Sequence, residues 1–407
     1  MERCINTSIH ERMAWVNWGE FVIVKPSFYL SGLKFIRELR IRQERENKRI
    51  VRSQIKDALS LDKRRAVSYN AGINLHLPTK EYEMPKLLMC DPNLFEKDLS
   101  DHVYIVTGAN SGSGFATTKQ LAEQGARVIG ACRRVDAGKQ AFADVKDMRG
   151  SVEIMELDLA SLTSVRRFAE GFLAKYDRLD GLVNNAGVMH TPEGRTKDGF
   201  ETQFGINYLG HFLLTELLLD ILKASAPARI VCVSSVAHAG MRGYYGEIDF
   251  EDLNFDNKEY DAYQAYANSK LAIVLQALDL SRRLEGTGVS AFSVHPGWIR
   301  SNLVADSAGT AGKFVQNVLL RPFSGVLGTV SWFEGAQTTL HCLLDEDAPN
   351  HNGAYYSQIS ILYPNKENRP GGWPMPSPNP LAHDKELAER LYHRSMELVG
   401  LEEKQEY

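Results

Sequence analysis

The run "VYIVTGANSGSGFATTKQLAEQGARVIGACRR", from Val103 to Arg134, limits what this chain can fold into more than any other stretch. An unbroken apolar segment leads into a glycine-rich turn, a helical pattern and a second apolar segment. Strand, tight turn, helix and strand in quick succession form the unit from which parallel sheets are assembled. Gly108, Gly112 and Gly114 space the turn as G-x-x-x-G-x-G. A backbone that must approach a pyrophosphate closely needs residues without a Cβ, and the helix that follows points free N–H groups and its positive end at the anion. The turn is therefore expected to bind a nucleotide through Thr107, Gly108, Asn110, Ser111, Gly112, Ser113 and Gly114. The end of the second strand discriminates between dinucleotides: an acid there accepts from a ribose 2′-hydroxyl, an arginine accommodates a 2′-phosphate. Here Arg133 and Arg134 precede the first acid, Asp136, which favours NADP(H) over NAD(H).

The alternation continues to about Asp345. Apolar runs such as "SVEIMELD", "DGLVNNAG", "RIVCVSS" and "VSAFSVHPG" are separated by helical stretches such as "SVRRFAEGFLAKY" and "HFLLTELLLDILKAS". Continuously apolar strands are buried on both faces, as in a parallel sheet covered by helices. "GAYYSQI" supplies a seventh run. The expected fold is α/β: a Rossmann-type, doubly wound, mostly parallel seven-stranded sheet with helices on both faces. A helical extension (1–98) is expected before the dinucleotide-binding catalytic domain (99–345), and the last strand and a helix-bearing tail (346–407) after it.

Composition removes several alternatives. A net charge of −4 gives no reason for a nucleic-acid partner. The 5 cysteines lie far apart and form no Cys/His cluster, so neither a disulfide framework nor a metal site is expected. "VNWGEFVIVKPSFYLSGLKFI", the best candidate for a membrane span, is interrupted by Glu20, Lys25 and Pro26. A cytoplasmic protein, or one peripheral on an intracellular membrane, is the expectation. Residues 34–65 carry 12 Lys/Arg against 5 Asp/Glu along one apolar edge. They read either as an arm for a membrane surface or partner, or as a solvated helix on its own domain.

In "AYANSKLAIVLQALDL", Tyr266 lies one helical turn before Lys270, with Leu271, Val274, Leu275 and Leu278 at helical spacing. The pair alone says little, since Tyr82 and Lys86 repeat the spacing around Pro85. Taken together, "TGANSGSG", "NNAG", "VSS", "YANSK" and "HPG" come in the order that resembles the short-chain dehydrogenase/reductase family, over roughly residues 100–345. "KDGFETQFGINYLGHFLL" and "SSVAH" look most like the branch of retinol dehydrogenases, the WW-domain oxidoreductase and polyprenol dehydrogenases. The resemblance implies Tyr266 as general acid/base, Lys270 as the cation beside it, Ser235 on the substrate oxygen and Asn207 on a water reaching Lys270. It adds Asp158, Leu159, Asn184, Ala186, Gly187, Pro296, Gly297 and Ser301 to the cofactor contacts. Ser113 departs from it, standing where a bulky aliphatic residue is usual.

Between Ser235 and Tyr266 lie 30 residues, aromatic and acidic, which are expected to border the substrate cleft. The apolar, glycine-punctuated stretch after "HPG", with Trp298, Phe314, Val315, Leu319 and Phe323, suits a lid over an apolar substrate. Retinoid, steroid, polyprenyl and fatty-aldehyde substrates all stay open. A cofactor-binding scaffold without turnover is the alternative; a sugar-nucleotide epimerase fits less well, because its glycines are spaced differently. By analogy with the family, a homodimer would pair through helices near 200–224 and 262–285.

Overall fold

The computed structural model describes residues 87–146, 148–241, 243–299, 330–358 and 373–402, all within a unit spanning Tyr82–Tyr407. The basic stretch 34–65, Ser301, Phe314, Val315, Leu319 and Phe323 lie outside them. The strands are β1 (Val103–Thr107), β2 (Arg127–Cys132), β3 (Ser151–Glu156), β4 (Gly181–Asn184), β5 (Ala228–Val233), β6 (Ala239–Met241), β7 (Tyr244–Tyr245), β8 (Val289–His295) and β9 (Tyr355–Ser357). The helices are α1 (Gly112–Glu123), α2 (Val135–Phe142), α3 (Leu162–Leu173), α4 (Thr202–Ala224), α5 (Ala262–Arg283), α6 (Trp332–Leu344) and α7 (Lys385–Val399).

Seven strands form one sheet in the order β3-β2-β1-β4-β5-β8-β9, every pair parallel. Every residue of β1 and β8 is buried, whereas β3, at the edge, is only partly covered. One core cluster lies against α3, α4 and α5, with Phe172, Phe212 and Leu275 in it. The other lies against α1 and α6, around Leu121, Val106 and Leu340. Burying each such side chain contributes about 1.5–3 kcal/mol. β6 and β7 pair as a separate antiparallel hairpin. Strand order reverses between β1 and β4, and a crevice at the carboxyl ends beside that reversal is where such sheets hold ligands.

"GAYYSQI" contributes β9, which extends the sheet beyond β8, so part of the expected tail belongs to the same layer as the catalytic segment. α4 is long and apolar enough to cross a membrane by length and composition, yet most of it is buried in the core. α7 covers the outer side of α4 and α5. Tyr208 Oη and Ser395 Oγ lie 2.8 Å apart, Tyr392 packs on Phe212, and the Arg283 guanidinium sits 4.0 Å from the Tyr392 ring centre. The two helices named in the pairing expectation thus carry this chain's own helix on one side.

Candidate active site

β1 ends in a turn whose backbone favours glycine. Gly108 and Gly112 have φ of +67° and +60°, where side chains are disfavoured. A Cβ on Gly114 would fall 2.5 Å from the Gly108 carbonyl oxygen. Ser111 caps α1 without a side-chain hydrogen bond, so no side chain of the cap competes for the first-turn N–H groups. A cradle with no room for a Cβ, opening on a helix N-terminus, fits a dinucleotide's pyrophosphate.

Thr107 ties this turn to β4. Its Oγ1 accepts from the backbone N–H groups of Asn185 and Ala186, both at 2.9 Å. Asn185 Nδ2 donates to the Thr107 carbonyl at 2.8 Å, and Ser113 Oγ donates to Asn185 Oδ1 at 2.8 Å. The serine that departs from the family pattern thus anchors the glycine turn to "NNAG". Asn184, expected to meet cofactor, turns its side chain inward instead and donates to Thr215 Oγ1 at 2.9 Å. Asn185, absent from the sequence candidates, takes the position beside the turn, and two adjacent identical residues gave no sequence signal to choose between them.

At the ends of the next strands, Arg133 and Arg134 are exposed just past β2. Asp158 follows β3; its Oδ2 accepts from Lys197 Nζ at 2.8 Å and its Oδ1 from the Ala160 N–H at 3.1 Å. Burial pushes that carboxyl up, but these two bonds together with the Lys197 and Arg133 charges hold it below the ordinary aspartate value. Leu159 is buried.

α5 begins with Asp261 capping the N–H groups of Tyr263 and Gln264, and runs through the core without Gly or Pro. That fixes Tyr266 and Lys270 on one face, both nearly buried. Lys270 Nζ lies 5.7 Å from the Tyr266 ring centre and donates to the Val233 carbonyl at 2.9 Å. Burial pushes its ammonium down to about 7. Ser234 Oγ is turned inward, donating to the Lys270 carbonyl at 2.7 Å. Ser235 is half-buried, and its Oγ accepts from the Ala237 N–H at 3.2 Å.

Asn207 sits in a wide π turn, Gly205–Leu209, within α4 and is fully buried. Its Nδ2 donates to the Val188 carbonyl and to Ser269 Oγ, each at 3.0 Å, and its Oδ1 accepts from the Val188 N–H at 2.8 Å. A Cβ on Gly187 would meet both Asn207 Oδ1, at 3.2 Å, and Lys270 Nζ, at 3.6 Å. Glycine there lets the chain pass between the two. The Asn207 carbonyl also accepts from His211 Nδ1 at 2.9 Å. A carbonyl cannot donate, so Nδ1 carries the proton and Nε2 accepts from Thr107 Oγ1 at 2.8 Å. His211 joins the glycine turn to Asn207, a link that only its four-residue offset from Asn207 hinted at.

Two further histidines are not poised as bases. His238 and His295 are buried, and burial pushes them down to about 4 and about 3. His238 Nε2 lies 2.7 Å from Ser377 Oγ, wiring the C-terminal segment beneath Ser235. Pro296 and Gly297, with φ of +80° at the glycine, follow the end of β8. In the 30-residue stretch after Ser235, Tyr244 stacks on Tyr263 at 5.6 Å.

Residues 102–247 match the short chain dehydrogenase family. Human retinol dehydrogenase 12 is 45% identical over 305 residues, covering 74% of this chain and 88% of that protein. Mouse retinol dehydrogenase 13 is 44% identical over 299 residues, covering 73% and 83%. A crystal structure of an uncharacterized protein from Mycobacterium paratuberculosis superposes with a TM-score of 0.57 at 34% identity, covering 75% of this chain and 96% of the other. The Pseudomonas aeruginosa RhlG/NADP active-site complex, 23% identical with a TM-score of 0.50, covers 66% and 97% and shares the fold.

Proposed function

From the premise that this chain belongs to the short-chain dehydrogenase/reductase family, we propose that it is an NADP(H)-dependent oxidoreductase acting on the carbonyl or alcohol of an apolar substrate. The observation that carries the reading is Lys270 Nζ set 5.7 Å from the Tyr266 ring centre, at the carboxyl edge of the sheet. Across that edge lies a glycine turn with no room for a Cβ.

When bound, the nicotinamide donates or accepts the hydride; the chain's residues handle the proton and the geometry. Tyr266 gives a proton to the developing alkoxide, or takes one from the alcohol. A phenol near its ordinary value of about 10 is a poor acid–base at neutral pH, and a neighbouring ammonium favours the phenolate. Lys270 supplies that charge in its protonated form, which burial confines to pH values up to about 7. Ser235, the half-exposed serine of the pair, orients the substrate oxygen. Both amide protons of Asn207 are committed to Val188 and Ser269, so a water resupplying the proton donates to Asn207's carbonyl oxygens. Thr107, Gly108, Asn110, Ser111, Gly112, Ser113, Gly114, Ala186 and Gly187 hold the pyrophosphate side; Pro296, Gly297 and Ser301 hold the nicotinamide side. Exposed Arg133 receives the 2′-phosphate, and Asp158 and Leu159 border the adenine. The apolar substrate class is supported by the aromatic wall beside Tyr266 and by the relatives named retinol dehydrogenases. The basic stretch 34–65 suits peripheral contact with an anionic membrane surface.

The test is oxidation of NADPH, with NADH in parallel, against long-chain aldehydes, retinal and steroid ketones. Turnover with NADPH that is lost in Tyr266→Phe supports the reading. Tight NADPH binding with no turnover on any of them moves the assignment to a non-catalytic scaffold. Equal use of NADH removes the role given to Arg133.

A further inference from the structure

His190 is one of the described non-glycine residues in a left-handed conformation, with φ of 51°. That conformation is uncommon for side-chain-bearing residues and clusters at functional sites. The fold holds it there with buried polar groups. The His190 N–H donates to Gln203 Oε1 at 2.8 Å. Gln203 is fully buried, and its Nε2 donates to Tyr260 Oη and to the Ala262 carbonyl, each at 2.9 Å. Glu201, also fully buried, accepts from Tyr260 Oη at 3.1 Å and caps the start of α4. Three elements, the loop after β4, the start of α4 and the start of α5, thus converge on one backbone N–H.

The imidazole lands where the chemistry is proposed to occur. Its ring centre lies 5.5 Å from that of Tyr266, edge to face at 73°. On its other neighbour, Tyr263, the centres are 3.8 Å apart, and Tyr263 in turn stacks on Tyr244 of the hairpin. Tyr244, Tyr263, His190 and Tyr266 therefore form a continuous row from the hairpin to the proposed acid/base.

We propose that His190 is a positioning and specificity residue: its ring holds Tyr266 in its reactive orientation and forms the wall that the substrate meets beside its reacting carbon. This rests on the reading of Tyr266 as the acid/base. An edge-to-face contact restricts the tyrosine's side-chain rotation, and small misplacements of a reacting group cost rate steeply. Because the same ring borders the cleft, its size also sets which substrates approach.

Two substitutions separate the ring from the backbone. Asparagine tolerates the left-handed conformation but removes the ring; phenylalanine keeps an aromatic ring. The readouts are kcat, KM for a straight-chain aldehyde and a bulky cyclic ketone, the Kd for NADPH, and the Kd of a fatty carboxamide for the NADPH complex. The carboxamide is an unreactive stand-in for the aldehyde and reads the wall without turnover. His190→Asn is expected to lower kcat about tenfold to a hundredfold, to change the KM ratio of the two substrates and to weaken carboxamide binding. NADPH affinity stays as in wild type. His190→Phe is expected to keep kcat within about threefold while shifting the KM ratio against the ketone. Wild-type kcat, KM ratio and carboxamide affinity in His190→Asn would overturn the proposal. So would equal losses of kcat, NADPH affinity and melting temperature in both variants, which mark a merely structural loop residue. Tyr266→Phe run beside them isolates the parent reading: if it keeps turnover, the acid/base assignment fails, while the carboxamide titration still decides whether His190 forms the wall.

Discussion

The two halves of the crevice are built by different means. On the β1–β3 side the contacts come from backbone: positive φ at Gly108 and Gly112, and an α1 so close to the turn that Gly114 has no space for a Cβ. On the β4–β8 side they come from side chains delivered by α4 and α5, and each is held by partners remote in sequence. Asn207 bonds to Ser269 across 62 residues, and Lys270 to the Val233 carbonyl across 37. Backbone sites depend on what is missing from a residue, whereas side-chain sites depend on what is present and how it is propped. Thr107, Asn185 and His211 join the two halves, so the glycine turn and Asn207 share one hydrogen-bonded chain.

If the halves are separable in function, Tyr266→Phe lowers kcat by about 10²–10⁴-fold and leaves the Kd for NADPH as in wild type. Loss of NADPH affinity in that variant would erase the distinction. Gly114→Ala is the converse: the new Cβ collides both with the Gly108 carbonyl, which is backbone, and with the Asn185 side-chain amide. Overpacking of this kind costs about 1–3 kcal/mol, so a fall in NADPH affinity and in melting temperature is expected, while a variant saturated with NADPH recovers most of kcat. Titration and thermal melts together read both.

The side-chain half should also carry a pH signature that the glycine half lacks. Burial lowers Lys270 from 10.5 to about 7. The unfolded chain therefore binds a proton there that the folded chain does not, between about pH 7 and 10.5, and stability contributed at this site rises with pH through that window. Below pH 7 the buried ammonium costs stability in full. Lys270→Met is expected to gain most in melting temperature over wild type at pH 6 and progressively less towards pH 10. A difference independent of pH would mean that the ammonium is not desolvated as its burial indicates.

The smallest effect is at the joint. Ser113→Ala removes one hydrogen bond to Asn185, about 1 kcal/mol. It is expected to weaken NADPH binding less than tenfold without touching Tyr266's role. A large fall in kcat at saturating NADPH would show the halves to be more tightly coupled than their construction suggests.

Much of this arrangement is legible in the chain itself. The strand–turn–helix–strand run, the continuously apolar strands and the seven-stranded parallel sheet follow from local pattern, because a Cβ clash or an apolar period acts over a few residues. Tyr266 and Lys270 share a helix face for the same reason. Tertiary structure alone decided the rest. It turned Asn184 into the core and its neighbour Asn185 to the turn, and Ser234 inward while Ser235 stays half-exposed. It placed α7 on one side of α4 and α5, the helices through which pairing with a second copy was expected. It also set His190 against Tyr266. The two serine and asparagine choices are between side chains of identical chemistry. The partners that settle these placements, Thr215, Lys270, Ser395 and Gln203, come from distant segments and meet these residues only once the sheet has closed.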